Sequence, residues 1–519
     1  MIPAAEAPPV APSPPPGLLA GSAEGLVELS VAVTRAVAGA RSARRPRGPL
    51  PQGAPADVLA ATTAALGPAG MPERGVGTDA ALHRLATVLV EQGIDLSHPM
   101  AAAHLQPPPL TVAVAADALA SAGNASLDTY DSGPATIAVE RWVVDALTSL
   151  AGFDDGADGV LTPGGSLSNL TALLLARDAA AARRGVDVRR DGVAALPKPV
   201  VFCSELAHFS VHRACATLGL GESAVRAVPV DERHRMRPDA LAAMLRDLGE
   251  EHTPIAVVAT AGTTDFGSVD PLAELTALAR EHGAWLHVDA AYGFGTLFSD
   301  SLAGRMDGLT HADSVTVDLH KIGWQPAAAS VLLVRDRAAF AALDRSVDYL
   351  NPADDRAAGY DGLLGRTLQT TRRPDAVKIA ATLLAYGRHG LGQFVDTCHR
   401  LARHAEARIA AEPRLELVAG AELTTVVFRY LAEDPATRDR VNGELRRRLL
   451  HRGTALIGRT SARPAGPADE PVTCLKLTLL NPTATEADID DLLALVLDAG
   501  AACERHSPTV AEAHEEGAA

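Results

Sequence analysis

Lys321 is one of four lysines in a chain otherwise rich in arginine; the others are Lys198, Lys378 and Lys476. A lysine amine can lose its proton and form an imine with an aldehyde, which a guanidinium cannot do at any working pH. It ends the run Ser314-Val-Thr-Val-Asp-Leu-His-Lys321, after which Gly323 and Pro326 turn the chain into a second β-rich run ending at Val334. That layout places the amine at the tip of a strand. Upstream, Trp285-Leu-His-Val-Asp289 carries an acid to the end of an apolar run. A carboxylate there must be paired or hydrogen-bonded. One partner would be a cationic ring nitrogen, for which a contact at about 4 Å in an effective dielectric near 20 gains roughly 4 kcal/mol. That is enough to keep a pyridine nitrogen protonated at neutral pH.

Two further groups complete the set. Thr162-Pro-Gly-Gly-Ser-Leu-Ser-Asn169 runs into the apolar helix pattern Leu170–Arg177, and glycines and hydroxyls at a helix start make a cradle for an anion. No lysine follows these glycines, so it is not a nucleotide-binding loop of the Walker kind. His208, in Leu206-Ala-His208, follows a strand end where an imidazole could stack on a flat ring, and Thr264 follows Gly262 in the same position relative to another strand. Each group alone also fits a structural role: a capped helix, an internal ion pair, a core histidine. An aldehyde-reactive lysine, a carboxylate for a ring nitrogen, a stacking imidazole and a phosphate cradle together are what pyridoxal 5'-phosphate requires.

These groups need a scaffold that brings strand ends together. Between about 98 and 350, short β-rich runs (200–203, 224–229, 255–260, 285–289, 315–317, 331–334) alternate with amphipathic segments such as Pro238–Leu248 and Pro271–His282. This alternation predicts an α/β fold with a mostly parallel sheet between helices, and ligands in such sheets sit beyond the carboxyl ends of the strands. The expected organisation is a Pro-rich tail (1–20), an N-terminal helical arm (21–97), a large cofactor-binding domain (98–388), a small α+β domain (389–503) and an acidic tail (504–519). Within the large domain, the polar, glycine-bearing stretch 350–370 reads as a mobile lid.

Composition removes several classes of function. At 519 residues and a net charge of −16 the chain suits a globular enzyme and not a nucleic-acid partner. Five scattered cysteines, without a Cys-x-x-Cys pair, predict reduced core thiols in a cytoplasmic protein and no metal site. No apolar run is long enough to cross a bilayer, and no secretory signal opens the chain.

From His98-Pro onward, through Thr162-Pro-Gly-Gly-Ser-Leu-Ser-Asn169, Ala259-Thr-Ala-Gly-Thr-Thr264, His287-Val-Asp-Ala-Ala-Tyr-Gly293 and Asp318-Leu-His-Lys321 in that order, the sequence resembles the group II pyridoxal-phosphate-dependent amino-acid decarboxylases. Asp318-Leu-His-Lys-Ile-Gly-Trp-Gln-Pro326 and Thr367-Leu-Gln-Thr-Thr-Arg-Arg-Pro-Asp375 are most similar to the bacterial diaminobutyrate and siderophore-type lysine decarboxylase branch. The resemblance implies fold type I, an obligate homodimer with active sites at its interface, and decarboxylation of an L-amino acid to an amine. The substrate would be a diamino acid (2,4-diaminobutyrate, lysine, ornithine) or an acidic amino acid. Decarboxylation-coupled oxidative deamination or transamination are alternative outcomes on the same fold.

By matching position, Lys321 would bind the cofactor covalently, Asp289 would face the ring nitrogen, His208 would stack on one ring face and Ala291 would lie under the other. Ser166, the Leu167 backbone, Thr264 and His320 would lie near the cofactor, and His104 near the substrate. Asp318 stands where family members often have asparagine. Tyr360 lies in the loop that carries the family's protonating tyrosine, about three residues out of register.

Overall fold

The computed structural model describes residues 19–42, 48–345, 347–463 and 470–505. Most of the expected Pro-rich tail (1–18) and acidic tail (506–519) lies outside them. In chain order the strands are β1 (Ala101–Ala102), β2 (Asp158–Thr162), β3 (Pro199–Ser204), β4 (Val225–Val228), β5 (Thr253–Thr260), β6 (Trp285–Asp289), β7 (Ser314–Asp318) and β8 (Ser330–Val334), followed by β9 (Leu415–Ala419), β10 (Thr425–Tyr430), β11 (Leu456–Ala462) and β12 (Val472–Thr478).

Seven of these form one sheet in the order β2-β8-β7-β6-β5-β3-β4. The pairs from β7 through β4 are parallel, and β8 runs antiparallel between β7 and β2. Its central strands are buried along nearly their whole length, as expected of a sheet covered by helices on both faces. The five remaining strands form a second sheet, β1-β11-β12-β10-β9, with its own apolar core. The parallel-sheet domain and the smaller α+β unit are therefore both present, preceded by the helices Ala23–Ser42, Pro55–Leu66 and Thr78–Gln92.

The six strands expected between about 98 and 350 exist as β3 to β8, but β1 and β2 in the same span were not expected. β2 and β11 each carry a glycine where backbones meet closely: a Cβ on Gly159 would lie 2.7 Å from the Leu332 carbonyl, and one on Gly458 would lie 3.0 Å from that of Ala103. Glycine weakens a strand's apolar signature where close approach demands it. One long helical element, Ala376–Ala411, is broken at Gly387, whose φ of 58° is left-handed. The 350–370 stretch is ordered around a short helix, Ala353–Ala357, and a 3-10 turn, Leu364–Arg366.

The junction that carries the glycine cradle is held from below. Arg372 Nη1 contacts Glu140 Oε1 at 2.8 Å, with both side chains almost fully buried. Arg372 also donates to the Leu161 carbonyl at 3.1 Å, and Glu140 accepts the Leu161 N–H at 3.3 Å. The pair thus clamps both backbone groups of β2 one residue before Thr162. Removing one partner leaves the other charge buried and unpaired, so Glu140→Leu should destabilise the protein by about 3 kcal/mol or more. The double variant Glu140→Leu/Arg372→Met should recover much of that loss. Chemical denaturation measures both, and an unchanged midpoint in the single variant would contradict the clamp.

Candidate active site

The chemically loaded residues gather at one edge of the large sheet. Asp289 and Asp318 are the last residues of β6 and β7, His208 follows β3, Thr264 follows β5 and Ser166 follows β2. Because β2 runs with the parallel strands, all five lie at the carboxyl-end edge, where helices and turns leave room for a ligand. A cavity of about 240 Å³ opens there, lined by Ser166, His208, Thr264, Asp289, Ala291, Asp318, His320 and Lys321, with Gly165 and Asn169 on its floor.

Asp289 is 7% exposed and has no ion-pair partner among the described residues. Its Oδ2 accepts the Asn169 side-chain amide at 2.8 Å and its Oδ1 accepts the Ala291 N–H at 3.2 Å. A buried carboxylate satisfied only by neutral donors retains an unanswered charge. Lys321 extends into the cavity with its Nζ 3.1 Å from Asp318 Oδ2, and His320 Nε2 lies 3.6 Å from the same oxygen. The other Asp318 oxygen has no hydrogen-bond partner. Burial holds the His320 imidazole below its usual pKa, with Asp318 opposing that shift. Burial likewise lowers His208, again against the pull of Asp289.

The helix Gly165–Arg183 begins at the cavity wall with no side chain capping its first turn. A Cβ on Gly165 would sit 2.9 Å from Asp318 Oδ2, so only glycine leaves this cradle open. Uncapped N–H groups and the positive end of the helix dipole suit a phosphate. The cradle, the uncompensated Asp289 carboxylate and the Lys321 amine fit pyridoxal phosphate on three separate chemical grounds.

Leu167 does not line this cavity, and its N–H donates to the Gly164 carbonyl at 2.9 Å. His104 falls in a separate cavity with Arg446, Arg459 and Lys476, and it is its neighbour Leu105 that reaches the first one. Tyr360 is 56% exposed and packs edge-on against Tyr130, with ring centroids 5.4 Å apart, away from the cavity of its own chain.

Sequence reasoning missed the layer behind the site. Asn169, Ser210, His287, Ser314 and Thr316 are all buried beneath Asp289 and His208. Lys476, also buried, donates to the Thr264 carbonyl at 3.2 Å and contacts Asp265 at 2.6 Å. The available signal was polarity inside apolar runs: His287 and Thr316 interrupt strands whose neighbours are valine and leucine.

The pyridoxal-dependent decarboxylase conserved domain matches residues 64–431. An L-2,4-diaminobutyrate decarboxylase of Rhizobium meliloti (strain 1021) is 43% identical over 433 residues, covering 83% of this chain and 82% of the relative. One of the same name from Acinetobacter baumannii is 35% identical over 437 residues, covering 82% and 84%. Among solved structures, the glutamate decarboxylase domain of a diaminobutyrate-pyruvate transaminase and L-2,4-diaminobutyrate decarboxylase from Vibrio parahaemolyticus superposes with a TM-score of 0.81 at 30% identity, covering 92% of this chain and 96% of that one.

The cradle yields a direct test. Gly165→Ala should leave the fold intact and raise the dissociation constant for pyridoxal phosphate at least about tenfold, because a buried carboxylate must shift to admit the methyl group. Equilibrium dialysis or fluorescence titration of the cofactor reads this, and wild-type affinity would remove the cradle assignment.

Proposed function

The chain belongs to the pyridoxal-dependent decarboxylases, and we propose that within this family it removes the α-carboxylate of L-2,4-diaminobutyrate to release CO2 and a diamine. The observation that carries the choice of substrate is the pair of relatives bearing that name, at 43% and 35% identity over more than four-fifths of both chains. When bound, pyridoxal phosphate supplies an electron sink for the bonding pair left as the carboxylate departs.

The chain's own residues divide the remaining work. Lys321 would provide the amine that anchors the cofactor's aldehyde carbon, and its Nζ lies 3.1 Å from Asp318 Oδ2. Asp289 would pair with the protonated ring nitrogen, since separating them would again leave the carboxylate without a countercharge. The first turn of the Gly165–Arg183 helix would hold the phosphate, and His208 would pack against the ring.

The site is completed by a second copy of the chain. Tyr360 stands exposed on the 350–370 segment, outside the cavity of its own protomer. The N-terminal helices leave Leu26, Val27, Val33, Leu59, Leu85 and Leu89 exposed, more apolar surface than helices in water normally keep uncovered. Both features support a homodimer in which the segment closes over the partner's cavity, excludes water and carries the proton donor. The five cysteines are all buried and none forms a disulfide, which supports a cytoplasmic location. Among the described residues, no helix is long and apolar enough to cross a membrane.

Three measurements test this reading. CO2 release from diaminobutyrate, lysine, ornithine, glutamate and aspartate should show the highest kcat/KM for diaminobutyrate. A higher value for another acid would replace the substrate, and an aldehyde product with hydrogen peroxide would replace the reaction. Lys321→Ala should lose the visible absorbance of the loaded enzyme and its fixation by borohydride; a variant that keeps both refutes the lysine assignment. Finally, Lys321→Ala and Tyr360→Phe homodimers, each inactive, should regain activity when their subunits are mixed, whereas a tyrosine acting in its own protomer predicts no recovery.

A further inference from the structure

Beneath the cavity, an unbroken line of polar side chains, buried from Ser314 to Ser210, joins β6 and β7 to the two groups placed against the cofactor ring. Trp285 Nε1 lies 2.8 Å from Ser314 Oγ, and Ser314 Oγ lies 2.8 Å from His287 Nδ1. His287 Nε2 lies 3.0 Å from Asn169 Oδ1, which also accepts from Thr316 Oγ1 at 2.7 Å. The Asn169 amide nitrogen reaches Asp289 Oδ2 at 2.8 Å and Ser210 Oγ at 2.9 Å. Ser210 Oγ lies 2.8 Å from His208 Nδ1, and the Ser210 backbone N–H points at the same nitrogen from 3.3 Å.

Donor and acceptor roles along this line are forced. The indole N–H can only donate, so Ser314 accepts from it and its own proton is free for His287 Nδ1. An ionised Asp289 can only accept, so Asn169 must turn its NH2 toward Asp289 and its oxygen toward His287. His287 Nε2 therefore carries a hydrogen. Its Nδ1 is a lone pair, in accord with burial that pushes the ring's pKa down to about 4. Ser210 accepts from Asn169 and spends its proton on His208 Nδ1. The Ser210 backbone N–H, which has nothing to accept with, excludes a hydrogen from that nitrogen independently. Every donor along the line points the same way, toward the cavity.

We propose that Asn169, Ser210 and His287 are positioning residues that fix Asp289 as an acceptor and lock His208 as its Nε2–H tautomer. His208 then acts on whatever lies above it as a hydrogen-bond donor and not as a base. The inference rests on the cofactor reading of this site, and it adds which proton His208 carries and what determines it. The charged groups facing that ring are Asp289, Lys321, Asp318 and Arg213. None of them contacts Nδ1, so the tautomer is set from below.

Nitrogen-15 NMR of histidine-labelled holoenzyme, with His208→Gln assigning the resonances, should show Nε2 protonated and Nδ1 bare across neutral pH. Asn169→Ala and the milder Ser210→Ala should shift His208 toward a mixture of tautomers. His287→Leu should weaken pyridoxal phosphate binding at least about tenfold, as expected when a buried donor line to a charged group is cut. His287→Gln restores an N–H toward Asn169 and should stay within about threefold of wild type. A hydrogen on Nδ1 in the wild type, or unchanged His208 resonances in both Asn169→Ala and Ser210→Ala, would overturn the proposal. So would equal losses for His287→Leu and His287→Gln. Wild-type tautomer and affinities with no CO2 release from any amino acid would fault the reaction and leave the line intact.

Discussion

The site depends on one negative charge that the polypeptide does not neutralise. Asp289 is buried at the end of β6 with neutral donors on both oxygens and no ion-pair partner among the described residues. Desolvating a lone carboxylate costs several kcal/mol even after relaxation. A fold that retains such a group stores a preference for whatever brings the missing positive charge. A protonated ring nitrogen would bring it. Specificity for the cofactor would thus begin as an electrostatic deficit, to which Lys321 would add a covalent anchor and the glycine cradle a site for an anion.

The same deficit explains the polar layer below. An apolar core beneath Asp289 would leave its second oxygen unsatisfied, so Asn169 is needed. An asparagine buried in a helix requires partners for its own carbonyl, which His287 and Thr316 supply. Such chains are tolerable only when every member is satisfied, and here satisfaction runs from Trp285 on β6 to His208 beyond β3. Two strands and a helix that could otherwise slide past one another by a residue are pinned in register by the requirement.

How much of this could be read in the sequence follows the same physics. Residues whose chemistry is exceptional for their surroundings were legible: a lone lysine after a strand, an acid closing an apolar run, glycines ahead of a helix. The alternation of apolar runs with amphipathic ones revealed the parallel sheet. What stayed hidden was whatever depends on contact between distant segments. β2 and β11 are strands whose glycines are required by a carbonyl on another chain segment, and that requirement is visible only once the segments meet. Asn169 looked like helix-start polarity. His104 sits near the cavity in sequence, one residue from Leu105, but the bend after β1 turns it into a neighbouring basic pocket.

The rarity of lysine turns out to be informative for three of its four positions. Lys198 lies exposed beside Glu251. Lys321 lines the cavity, Lys378 is buried between Asp117 and Asp375, and Lys476 is buried against Asp265. Lys378 does not align for a hydrogen bond with either acid, so its role is that of a point charge between the two helices it joins. Lys476 is more directed. It reaches from β12 in the small domain to the Thr264 carbonyl, while Thr460 on β11 reaches the other oxygen of Asp265 at 2.7 Å. The loop that brings Thr264 to the cavity is therefore held by the second sheet as much as by the first, and a movement of the small domain must be felt at the cofactor.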